Sequence, residues 1–262
     1  MPYVDDLALA RQLADVADQA SLARFGALDL RVETKPDLTP VSDADRAVES
    51  ALRELLATER PTDAILGEEY GASAPSKGTG RRWVIDPIDA TKNFIRGVPV
   101  WATLIGLLDG DDAVVGVVSA PALAHRWWAA KGCGSWMSRL GGDPRRNQVS
   151  AVNRLADSSI SYSDMAEWST RRPAFQALLD AAWRARAYGD FWSHVLVAQG
   201  SVDISAEPDL SLWDVAALVP IVEEAGGTVT GVDGGKSPAS PSVLCSNGLL
   251  HEEVLRRLRS DG

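Results

Sequence analysis

The chain has 262 residues, 45% of them apolar, which is enough to bury a core as one large domain or two intimate halves and excludes a disordered chain. A formal net charge of −10 is the wrong sign for neutralising nucleic-acid phosphates or lying on an anionic bilayer, and it suits a protein that concentrates divalent cations. No stretch approaches the ~18 apolar residues of a membrane span, the first residues carry acids where a signal peptide needs a basic flank, and Cys133 and Cys245 lie too far apart for a metal motif, so a cytoplasmic protein with ordinary thiols is expected.

Leu9, Leu13, Val16 and Ala20 recur at helical spacing, predicting a first amphipathic helix that ends near Gly26. A second helix starts at Ser42 as N-cap with Asp45 three residues on, carries Val48, Leu52, Leu55 and Leu56, and stops at Pro61. The grammar then changes to short apolar runs punctuated by Gly, Asp and Pro: 64–69, 81–86, 101–108, 113–121 and 126–130. They predict a mostly antiparallel sheet covered by the two helices. The polar, turn-rich stretch 141–158 is the candidate division between halves 1–145 and 146–262 of a single domain. Beyond it strands and helices alternate through SSISYS, PAFQALLDAAW, ARAYG, DFWSHVLVAQG, VDISAE, SLWDVAALVPIVEEAGG and SVLCSN to a terminal helix, with 231–242 as a loop, which predicts an α/β layered half packed on the first.

Acidic residues stand at the ends of these elements: Asp43 at a helix start, Glu68 and Glu69 after a strand, Asp86 and Asp89 after another, Asp214 in the first turn of WDVAAL. Carboxylates on separate element ends can converge on one point, which is tolerable only if cations neutralise them. Oxygen donors without His or Cys point to a hard ion, Mg²⁺ above all. In WVIDPIDATKNF, Pro87 turns the chain after Asp86 so that Asp89 comes round to the same side and Ile88 offers its carbonyl. Ala90 and Thr91 then fall at a helix N-terminus suited to a phosphate oxygen.

The DPID-x-T-x-N-F segment, preceded by GEE and followed by WD-x-A-A and EAGG, resembles the inositol monophosphatase family of Mg²⁺-dependent phosphatases, in order and spacing from about Lys35 to Gly227. The resemblance implies an α/β fold, the α-β-α-β-α sandwich of the inositol monophosphatase and fructose-1,6-bisphosphatase type, a homodimer, and two to three Mg²⁺ ions. It implies that Glu68, Asp86 and the Ile88 carbonyl hold one ion, that Asp86, Asp89 and Asp214 hold a second, and that a looser third sits near Glu68. Asp43 and Thr91 would orient and deprotonate the attacking water, with Glu68 counted in the catalytic set, and the Ala90 and Thr91 amides would hold the phosphate. The family usually has Gly where this chain has Ala90; a left-handed residue there would be strained by ~1 kcal/mol or more, and a helical one not at all. Lys35 reads as a solvated loop lysine sooner than as a counter-charge, and Glu69 as an acid outside the ligand set. His125 and His251 read as surface residues, His194 as packed, and the nine tryptophans mostly as core.

Substrate choice falls to Asp190 and Glu207, positions that in this family face the alcohol part of the ester, with Asn93 and Arg96 as rim candidates. A second acid in that pocket is favourable only beside a cation, so the leaving group is expected to carry an ammonium or imidazolium. RAYGDF, LVAQG-x-VDI-x-AEP and SAPALAHRWWAA together resemble the actinobacterial-type histidinol-phosphatases of the family. The expected activity is hydrolysis of histidinol phosphate by in-line attack of a metal-activated water, on a small-molecule ester and without nucleic acid or membrane. Alternatives are an inositol-1-phosphate, sugar-phosphate or 3′-phosphonucleotide phosphatase, or a regulatory binding protein on the same scaffold.

Overall fold

The N-terminal periodicity becomes helix α1 (Val4–Leu22), with Leu9, Leu13 and Ala17 on its buried face. A short hairpin, β1 (Val32–Thr34) and β2 (Pro40–Ser42), leads into α2 (Asp43–Glu59). The Asp45 carboxylate accepts the Ser42 amide at 2.8 Å and the Ser42 hydroxyl at 2.6 Å, closing the predicted cap. Pro61, which cannot continue a helix, follows one residue after the cap at Arg60. The structure is a computed structural model and describes residues 2–73, 80–139, 141–236, 238 and 240–259; positions 237 and 239 of the expected 231–242 loop lie outside these.

Next come β3 (Ala64–Gly67), β4 (Gly71–Ala72), β5 (Arg81–Asp89), the short helix α3 (Thr91–Ile95), β6 (Ala102–Asp109), β7 (Asp112–Ala120), β8 (His125–Ala130), β9 (Gly134–Arg139) and β10 (Arg145–Arg146). The eight strands from β3 to β10 form one sheet in the order β10-β9-β8-β7-β6-β5-β3-β4, in which β3 and β5 alone run parallel. Strands β9 and β10 are absent from the sequence expectation. Arg145 and Arg146 pair with Met137 and Trp136, so the first sheet runs one residue past the expected 145/146 division.

The second half supplies β11 (Ser159–Ser161), α4 (Arg172–Ala181), β12 (Arg184–Arg186), α5 (Asp190–Ala198), β13 (Ile204–Glu207), α6 (Leu212–Val215), α7 (Leu218–Glu223), β14 (Thr228–Thr230), β15 (Val243–Ser246) and α8 (His251–Arg259). Its five-stranded sheet has the order β12-β11-β13-β15-β14. The single helix expected over 211–227 is two, α6 and α7. Pro220 explains the break: it has no N–H to give the Ala216 carbonyl, and its ring crowds that group.

The layers follow from which faces are apolar. Leu13, Leu52 and Leu56 of α1 and α2 pack on Trp83, Ile85 and Val117 of the first sheet. Val195, Leu218 and Ile221 of α5 and α7 lie between the sheets, against Val118 and Trp127 on one side and Val243 and Cys245 on the other. Phe175, Val254 and Leu258 of α4 and α8 cover Ile160 and Leu244 on the far face. The result is an α/β layered fold in the order α-β-α-β-α. Gly116 makes the central contact possible, since a Cβ there would collide with the Ala217 carbonyl. Trp83, Trp101, Trp127 and Trp168 are fully buried, as expected, whereas Trp183 is 68% exposed. His251, expected at the surface, is buried and bonds Ser246 and Thr230.

Candidate active site

The site begins as a defect in strand β5. Asp86 pairs with Leu104 and Asp89 with Ala102, so Pro87 and Ile88 together oppose Thr103 alone. What the sequence presents as a turn beyond a strand end is a bulge inside the strand, a place where proline's missing N–H breaks no ladder bond. The Ile88 side chain is buried with Ala44, Phe94 and Trp101, its N–H donates to Asp86 Oδ1 at 3.0 Å, and the Thr103 hydroxyl donates to the Pro87 carbonyl at 2.8 Å.

Asp214 arrives from the first turn of α6, where its Oδ2 accepts the Ser211 amide at 2.7 Å, so the residue both caps the helix and faces the bulge. Oxygens of Asp86, Asp89 and Asp214 all lie within 4.8 Å of one another. Among the described residues no lysine or arginine forms an ion pair with any of the three. Burial foremost, then Glu68, Asp89 and Asp214, holds the Asp86 carboxyl well above its usual range. Asp89 is raised by burial and by Asp190 and Asp214, and burial pushes Asp214 up to about 7 despite the Ser211 amide. Three partly desolvated oxygen acids without a cation are a donor set for a hard divalent ion, and the residues fit one.

Glu68 lies beside this triad as a source of its like-charge repulsion, but its carboxylate is 2.7 Å from the Lys35 ammonium, which also reaches Glu69 at 2.6 Å. Lys35 is therefore the counter-charge and not a solvated loop residue. The Asp43 carboxylate turns to Arg24 at 2.9 Å, and the acid beside Thr91 is Asp45, 3.2 Å from the Thr91 hydroxyl. The spacing carried the signal, since Asp45 stands three and seven residues before Val48 and Leu52 on the buried face, whereas Asp43 does not. The same hydroxyl lies 2.9 Å from the Ile88 carbonyl. Ala90 has φ 66° and ψ 47°, the left-handed conformation, so the residue is strained where Gly would not be. Replacing Ala90 by Gly should raise the thermal midpoint by roughly 2 °C, the relieved strain outweighing the greater freedom of the unfolded chain.

Asp190 is the first residue of α5 and not its cap; Gly189 holds that place, and Asp190 itself has φ 49°. Its amide donates to the Ser163 hydroxyl at 2.9 Å, which donates to Glu207 Oε1 at 2.6 Å. The next amide, that of Phe191, donates to Asp89 at 2.8 Å. Burial foremost, with Glu207, pushes the Asp190 carboxyl up to about 6. Glu207 is buried behind it, and the His194 ring lies 3.4 Å away. Burial works against a charged imidazole, yet the Cys245 sulfur and Glu207 push His194 up to about 10. A cavity of about 280 Å³ joins the parts: Thr39, Pro40, Glu68, Ala90, Thr91, Lys92, Asn93 and Asp190 line it. Arg96 and Glu207 are not on that lining. Ser163, Asp45 and Phe191 are the positions that the sequence reading missed; Ser163 and the Phe191 amide left no signal in it.

A model of the inositol monophosphatase family matches residues 5–261. The histidinol-phosphatase of Mycobacterium tuberculosis is 56% identical over 258 residues, 98% of this chain and 98% of the relative. That of Streptomyces coelicolor is 54% identical over 260 residues, 97% and 96% of the two chains. Among solved structures, the extragenic suppressor protein suhB from Bartonella henselae has a TM-score of 0.89 at 27% identity, covering 98% of this chain and 100% of its own. An inositol monophosphatase from Zymomonas mobilis has a TM-score of 0.86 at 29% identity, covering 99% and 100%.

Proposed function

We propose, from the premise that this chain belongs to the inositol monophosphatase family and is a metal-dependent phosphoric monoester hydrolase, that its substrate is histidinol phosphate and its ion Mg²⁺. The observation that carries the substrate reading is a cavity whose lining combines Glu68, Ala90 and Thr91, the expected phosphate-binding residues, with Asp190. A carboxylate there, raised by burial and by Glu207, gains most from a cationic partner, and histidinol phosphate carries both an ammonium and an imidazole. The all-oxygen donors Asp86, Asp89, Asp214, Glu68 and the Ile88 carbonyl would hold two to three Mg²⁺ ions, which supply neutralisation of the phosphoryl oxygens and acidify water.

The chain's own groups do the rest. The first amides of α3 and that of Ala90 receive the phosphate oxygens. Thr91 Oγ1 holds a water in line with phosphorus and passes its proton to Asp45 Oδ1, whose affinity for that proton is raised by burial. The water oxygen bonds to phosphorus as the bond to the alcohol oxygen breaks; the departing alkoxide takes a proton from solvent water, and Asp45 returns its proton to solvent. Asp190 binds the cationic leaving group, and Ser163 with Glu207 holds the turn that presents it. A homodimer in the cytoplasm is the setting that the family resemblance and the acidic, reduced-thiol composition support.

Phosphate release from histidinol phosphate and inositol 1-phosphate, with and without Mg²⁺, tests the reading. Histidinol phosphate should be hydrolysed faster and EDTA should stop both; a preference for inositol phosphate would replace the assignment. Asp190→Asn should raise KM for histidinol phosphate by about tenfold or more, the loss of one charge-assisted bond, and spare p-nitrophenyl phosphate. An unchanged KM would exclude Asp190 from recognition.

A further inference from the structure

Glu49 is a fully buried carboxylate that the chemistry above leaves unused. It stands on α2 one turn beyond Asp45, on the same face. Its Oε2 accepts the Glu69 amide at 2.7 Å, and its Oε1 accepts the Tyr70 amide at 3.2 Å and Arg53 Nε at 2.7 Å. Arg53 in turn bonds the Gly71 carbonyl. The turn that carries Glu68 out of β3 is thus gripped from the helix at three successive residues, Glu69 to Gly71. The fit leaves no slack on the strand side either, because a Cβ on Gly67 would fall within the Glu49 carboxylate. Strand pairing alone would hold this turn weakly, since β4 has only two residues.

We propose that Glu49 is a positioning residue for the divalent-cation site: by fixing the amides after Glu68 it fixes the direction from which the Glu68 carboxylate approaches Asp86 and Asp214. The inference rests on reading that cluster as the cation site, and it makes α2 the common base of two parts, Asp45 for Thr91 and Glu49 for Glu68.

Isothermal titration of Mg²⁺ into the EDTA-treated, dialysed chain tests it without recourse to turnover. Glu49→Gln leaves one amide facing an N–H₂ group and should weaken Mg²⁺ binding by about tenfold or more, with kcat at saturating Mg²⁺ within about threefold of the parent. Gly67→Ala, which displaces the same carboxylate while keeping every charge, should weaken binding alike and decides the matter if Glu49→Gln does not fold. Glu224→Gln is the control: Glu224 accepts the Gly132 and Gly134 amides at 2.8 Å and 2.7 Å away from the site, and losing it should lower the thermal midpoint while leaving the Mg²⁺ constant unmoved. A parent-like Mg²⁺ constant in the Glu49 or Gly67 variant, or a kcat loss that saturating Mg²⁺ does not restore, would overturn the positioning role. A parent chain that takes up no Mg²⁺ would overturn the cation site itself and the proposal with it.

Discussion

Asp86→Asn should lower kcat/KM by about 10³-fold or more and, with EDTA present, raise the thermal midpoint of the same chain. Asp86 belongs to the triad with Asp89 and Asp214, and Glu68 is the largest source of like-charge repulsion on it. Removing its charge removes the donor common to both expected ion positions, and three orders of magnitude correspond to roughly 4 kcal/mol of lost transition-state stabilisation. The shape survives, because an Asn oxygen can still accept the Ile88 amide. Without metal the wild-type carboxylate is a buried charge among like charges, so its neutralisation relieves the fold. Phosphate release with Mg²⁺ and melting in EDTA measure the two halves. A variant that is both active and no more stable would rule out this role for Asp86.

Removing metal should reverse the usual dependence of stability on pH. An acid whose folded pKa is raised costs nothing below its unfolded value near 4, where both states are protonated, and exacts its full penalty above its folded value. Asp214, pushed up to about 7, and Asp190, pushed up to about 6, set the window. In EDTA the chain should lose stability as pH rises from about 4 to about 7, by on the order of 4 kcal/mol for Asp214 alone, or roughly 10 °C in a protein of this size. His194 does not offset this, since the stability from its raised pKa is whole below the unfolded value near 6.5. Saturating Mg²⁺ should flatten the profile by satisfying the carboxylates. Calorimetric melts from pH 4 to 8 in EDTA and in Mg²⁺ check it; a midpoint that climbs with pH in EDTA would contradict the assignment.

The parts of the site legible in the sequence are those written by local rules. Ser42 and Asp45 announce a cap, and Asp86, Asp89 and Asp214, the acids that could hold a metal ion, stand in motifs of fixed spacing. Asp43 and Asp45 look alike in sequence as two acids of one helical turn, whereas helical periodicity buries the second and leaves the first beside Arg24. Glu49 falls within the stripe of Val48 and Leu52, where a charge is expected to be buried and paired; Arg53, four residues on, is the partner that helical spacing encodes, whereas the Glu69 and Tyr70 amides are partners that no side-chain pattern encodes. Lys35 lies 33 residues before the glutamate it neutralises, and a pairing across that distance is set by how the hairpin folds back. Pro220 gave a readable warning that the helix over 211–227 would break.

The Phe191 amide ties the residue next to Asp190, on the cavity lining, to Asp89. Loops exchanged among relatives to redirect the enzyme to other esters would thus not be independent cassettes. A graft across 187–192 that swings this one N–H aside would leave a carboxylate oxygen short of a donor, so a transplant chosen for its side chains alone would disturb the acidic cluster it was meant to leave alone.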